Sequence, residues 1–80
     1  EGGMPSIVGT VLLVQESRFR LLTESGRGET FLLSHAAPIE PQDLPPLTGR
    51  RVRVHYEAAP KLLAWVARDL HLMDQGGATA

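Results

Sequence analysis

The chain has 80 residues, of which 42% are apolar, and a formal net charge of −1. That is enough for one small domain and too little for two cores, and the balanced charge excludes a protein whose whole surface traps polyanions. The absence of cysteine excludes disulfides, thiol nucleophiles, iron–sulfur clusters and every cysteine-bearing zinc site.

No apolar run approaches the ~18 residues of a membrane span and no signal-peptide pattern is visible, so a cytoplasmic protein without a membrane partner is expected. A single folded unit is expected over residues 5–74. Residues 1–4 read as an expression remnant and residues 75–80 as a flexible tail.

Ile7 to Val14 is rich in β-branched residues and apolar on both parities, which predicts a first strand covered on two sides for part of its length. Gly9 within it marks a bulge or a place where the sheet coils sharply. After the polar turn Gln15-Glu16-Ser17, Phe19 and Leu21 alternate with Arg18 and Arg20, giving a second strand with apolar groups on one face and guanidinium groups on the other. Gly26-Arg27-Gly28 reads as a hairpin bend. Backbone donors at that bend suit an anion, but no phosphate-loop pattern with its Lys-Ser/Thr follows. Thr30 to Leu33 is a short third strand, in which Phe31 or Leu32 faces the interior depending on a one-residue register.

Pro38, Pro41, Pro45 and Pro46 then interrupt any ladder or long helix. At most one helical turn fits, around Pro41 to Leu44, with Ile39, Leu44 and Leu47 as plugs tying the crossing to the core. Pro38-x-x-Pro41 reads as part of this stiff crossing rather than as a proline-rich ligand. Val52, Val54 and Tyr56 alternate with Arg51, Arg53 and His55 in the clearest strand of the chain. A last strand is predicted over Leu62 to Met73, its parity broken across Ala64 to Ala67 as at a bulge or kink; a helix over Lys61 to Arg68 is the rival reading.

Five strands with a long connection between the third and fourth define the expectation: an all-β fold, a small five-stranded Greek-key OB-fold barrel with at most one short helical turn between strands 3 and 4. Gly9-Thr10-Val11, Leu47-Thr48-Gly49-Arg50-Arg51-Val52-Arg53-Val54 and Ala67-Arg68-Asp69-Leu70 carry a resemblance to bacterial translation initiation factor one and to the cold-shock domains, over most of Ile7 to Leu72. The resemblance implies that barrel and a single-stranded nucleic-acid partner. The chain departs from both groups where they bind. In place of the cold-shock aromatic stretches it has Arg18-Phe19-Arg20-Leu21-Leu22 and Thr30-Phe31-Leu32-Leu33. In place of the basic connection of initiation factor one it has Ala36-Ala37-Pro38-Ile39-Glu40-Pro41.

The candidate nucleic-acid-binding residues are Arg18, Arg20, Phe31, Arg51, Arg53, His55 and Arg68, a set of outward cations with Phe31 to stack a base. For that face to work, Glu16, Glu24, Glu29 and Glu57 must not interleave with the arginines. Phe19 and Tyr56 are assigned to the core, and Trp65 to the core or, if exposed, to a protein-contact patch with Leu63. His35, His55 and His71 show no paired ligand spacing, and Glu57 and Asp69 form no recognisable acid pair with a nucleophile. The expectation is therefore a non-enzymatic module without metal or cofactor that binds single-stranded RNA weakly. The alternative is a protein-interaction or accessory module using Leu63 and Trp65.

Overall fold

The computed structural model describes residues 4–59 and 64–73. Five strands, β1 (Ser6–Gln15), β2 (Arg18–Thr23), β3 (Gly28–Leu33), β4 (Arg51–Ala59) and β5 (Ala64–Leu72), form a closed barrel in the order β1-β2-β3-β5-β4. β4 returns to pair with β1, and all pairs are antiparallel except β3 with β5. This is the small OB-like barrel expected from the strand pattern. The last segment is a strand throughout its described part, so the helix reading of it is excluded for Ala64–Leu72. Residues 1–3, 60–63 and 74–80 lie outside the described residues, and with them most of the expected remnant 1–4, the first two positions of the predicted last strand Leu62 to Met73 and the whole expected tail 75–80.

Alternation decides what the barrel buries. Phe19, Leu21 and Thr23 of β2 point inward while Arg18, Arg20 and Leu22 point out. Val52 and Val54 do the same on β4 between outward Arg51 and Arg53. Val11, Phe31, Leu33, Ala67 and Leu70 complete the barrel's share of the buried core, and Leu44 enters it from the crossing.

Two places break the period. The β1–β2 register passes from Val11↔Leu21 to Leu13↔Arg20, leaving Leu12 as an extra residue, so Leu13 faces outward beside Arg20. The β4–β5 register passes from His55↔Asp69 to Tyr56↔Ala67, leaving Arg68 as the extra residue on β5. That bulge falls one residue beyond the run whose parity predicted it. Gly9 is not a bulge: its register with Thr23 is regular, and a Cβ there would stand 2.5 Å from the Leu22 carbonyl oxygen, so β2 leaves no room for a side chain at this position.

The proline-rich crossing contains the helical turn expected near Pro41, a 3₁₀ turn over Pro41–Asp43, and a second one follows at Pro45–Leu47. The Asp43 carboxylate accepts the Glu40 backbone N–H at 2.9 Å, closing the first turn. Leu44 between the turns is fully buried, with Ile39 and Leu47 packed against the same cluster. No helix among the described residues is long and apolar enough to cross a membrane.

Candidate nucleic-acid interface

The outer face of β2 carries Arg18 and Arg20 two residues apart, the spacing that puts both on one side of a strand. Register places Gln15 and Leu32 on either side of Arg18, and Leu13 and Thr30 on either side of Arg20. These six side chains line an open depression of about 460 Å³. Among the described residues, no carboxylate lies within ion-pair distance of either guanidinium. Two exposed cations thus stand over a floor of leucine methyls, threonine hydroxyl and glutamine carboxamide.

The remaining arginines stand differently. Arg51 is ion-paired with Glu24 across the β1 rim of the barrel, and Arg68 with Glu57 at 2.8 Å on the β4–β5 surface. Arg27 meets Glu29 at 3.8 Å. Arg53 donates to the Ser6 hydroxyl at 3.4 Å. The three exposed ion pairs contribute little to stability, but each sets a carboxylate where a phosphate would have to approach Arg51, Arg68 or Arg27. Glu24 and Glu57 therefore stand beside two of the five candidate arginines and Glu29 beside Arg27, while Arg53 is held by a hydroxyl on the β4 side, so Arg18 and Arg20 are the two candidates that share one strand face clear of carboxylates among the described residues. His55 lies on the β4–β5 side, its ring 5.4 Å from that of His71 in an edge-to-face contact, and His71 is 3.1 Å from the Asp69 carboxylate. The barrel brings together two histidines that are 16 positions apart in the sequence; His35 lies apart from them on the crossing side.

The expectation that Phe31 stacks a base is corrected. It is 1% exposed, its ring stacked on Phe19 at 5.4 Å and meeting Tyr56 edge-on at 5.6 Å. Leu32, not Phe31, faces outward on β3. Trp65 is not a core residue either. It pairs in register with Phe31, contacts the Tyr56 ring at 5.2 Å and remains 38% exposed. Its indole N–H donates to Glu29 at 3.3 Å. Leu63, its proposed companion in a protein-contact patch, lies outside the described residues. The two phenylalanines, the tyrosine and the tryptophan thus form one continuous series from core to surface, leaving the arginine face without an aromatic.

The Gly26-Arg27-Gly28 segment is a bend. Gly26 has φ of 88°, a conformation glycine adopts without strain. Its N–H donates to the Thr23 carbonyl and that of Arg27 to the Thr23 hydroxyl, so two of the amides an anion would use already have acceptors.

Sequence reasoning named the arginines of this face but missed Leu13, Gln15, Thr30 and Leu32. The run Val11-Leu12-Leu13-Val14 is apolar at every position, and only the bulge at Leu12 decides that Leu13 turns out.

No family model matches the chain, and neither a curated protein nor a solved structure is found similar to it.

Proposed function

We propose that the protein is a non-enzymatic barrel module that binds single-stranded nucleic acid, RNA in the first instance, weakly and with little sequence preference on the outer face of β1, β2 and β3. The observation that carries this reading is the pair Arg18 and Arg20, neighbours on one strand face and without a carboxylate partner among the described residues. Cations at alternate positions lie roughly 6–7 Å apart along a strand, a spacing that lets two guanidiniums address neighbouring phosphates of an extended chain. Guanidinium suits phosphate because its planar donors match the oxygen pairs. Leu13 and Leu32 give bases an apolar surface, and Thr30 and Gln15 offer groups to sugar hydroxyls and base edges. Without aromatic stacking, worth ~1–3 kcal/mol per base, affinity rests on phosphate contacts and stays low.

Titration of the isotope-labelled protein with a short oligouridylate at low ionic strength tests it. Amide shifts are expected along Leu13–Gln15, Arg18–Leu22 and Thr30–Leu32, and are expected to vanish in R18A/R20A. A folded protein that gives no shift, or shifts confined to the β4–β5 surface, sinks the reading.

A protein partner is the second reading, favoured by one observation: Leu12, Leu13 and Leu22 are 44%, 52% and 39% exposed on neighbouring strands. No response to oligonucleotide, together with concentration-dependent broadening at these three leucines, would support it.

A further inference from the structure

Gly28 stands opposite Leu22 in the β2–β3 ladder, one step of alternation along from the Arg20↔Thr30 pair. A Cβ at Gly28 would lie 2.9 Å from both Nε and Nη2 of Arg20 and 3.2 Å from its Cζ. The guanidinium therefore occupies the space a side chain at position 28 would fill, lying against bare β3 backbone. The bend does not explain this glycine, because the positive φ of the hairpin belongs to Gly26 and Gly28 has none. What fills the place of a side chain at position 28 is the guanidinium of Arg20, diagonal to it in the ladder.

We propose that Gly28 is a positioning residue that seats the Arg20 guanidinium for phosphate, a proposal that rests on the reading of the β1–β2–β3 face given above. The seat has two effects. It draws Arg20 diagonally toward the start of β3, away from the like charge of Arg18 at its other end, so the two cations address separate phosphates. It also restricts a long, flexible side chain before the ligand arrives, so less ordering remains to be done on binding. An aliphatic side chain at position 28 would lift the guanidinium into solvent and remove both effects.

The variant G28A suits the test because the atoms its Cβ must displace are the far end of a flexible side chain, so the barrel is retained. Affinity of the full chain for a short oligouridylate is measured across a salt series for the wild type, G28A, R20A and R20A/G28A. In G28A, affinity is expected to fall about three- to tenfold, the worth of one ordinary hydrogen bond, since Arg20 keeps its charge and loses only its seat. The magnitude of the slope of log K against log salt is expected to fall by about 0.7, one phosphate contact on a single strand. In the R20A background, G28A is expected to change nothing further.

G28A binding like wild type, or weakening R20A as much as it weakens the wild type, overturns the proposal. R20A binding like wild type overturns the reading of the face itself, a separate outcome. The Arg20 Nε–H resonance of the free protein gives a readout that needs no ligand. It is expected to move in G28A, and an unmoved signal shows that no seat exists.

Discussion

Two glycines of this barrel make close approaches, and they do so with opposite consequences. At Gly9 the atom a Cβ would strike is the Leu22 carbonyl oxygen, at 2.5 Å, with Leu21 Cγ at 2.8 Å behind it. Neither can retreat, since one belongs to the β1–β2 ladder and the other to a side chain with no exposure. At Gly28 the obstacle is a guanidinium that swings away. G9A is therefore expected to destabilise the protein by about 1–3 kcal/mol, the cost of overpacking a rigid site, while G28A changes stability by less than about 0.5 kcal/mol, as surface substitutions do. Urea denaturation of both variants checks the pair. A G9A variant as stable as the wild type would show that β1 and β2 do not coil together at that point.

At the scale of the element, the proline-rich crossing is a structural part of the core. Each of its two 3₁₀ turns begins at proline, which supplies the fixed φ and lacks the N–H that a first turn cannot use. Between them Leu44 is 0% exposed and belongs to the same buried cluster as the strand side chains. L44A is expected to cost about 2–5 kcal/mol, a large share of the roughly 4–12 kcal/mol that a domain of this size holds. A loss below about 1 kcal/mol by chemical denaturation would mean that the crossing lies on the barrel rather than in it.

This element was legible because proline spacing and isolated apolar residues speak locally. Strand number and the inward set of β2 and β4 were legible for the same reason, since Arg18-Phe19-Arg20-Leu21 and Arg51-Val52-Arg53-Val54 alternate without ambiguity. β3 was not, because Phe31, Leu32 and Leu33 are all apolar and a period of two cannot choose a face from them. The ion pairs were hidden for another reason. Glu24 and Arg51 are 27 positions apart, and only the closing of β4 onto β1 brings them together.

For the whole molecule, the decisive feature is how the barrel distributes charge rather than how much it carries. With eight basic and nine acidic residues there is no net field to draw a polyanion from a distance, so binding depends on contacts made at close range. Arg51 and Arg68 have carboxylates beside them, whereas among the described residues Arg18 and Arg20 do not. If these two alone meet phosphates, the slope of log K against log salt for a single strand is expected to be about −1.4, from roughly 0.7 for each contact. Affinity for an oligouridylate would then fall about sevenfold between about 50 and 200 mM salt, which fluorescence anisotropy measures directly. A slope near −3.5, the value roughly expected for five contacts, would mean that Arg51, Arg53 and Arg68 leave their present partners and that the interface wraps the barrel. A slope near zero with binding retained would mean that the exposed leucines, not the guanidiniums, hold the ligand. The three outcomes assign the surface to two cations, to five or to none, because each phosphate contact releases its own share of counterions whatever the base sequence above it.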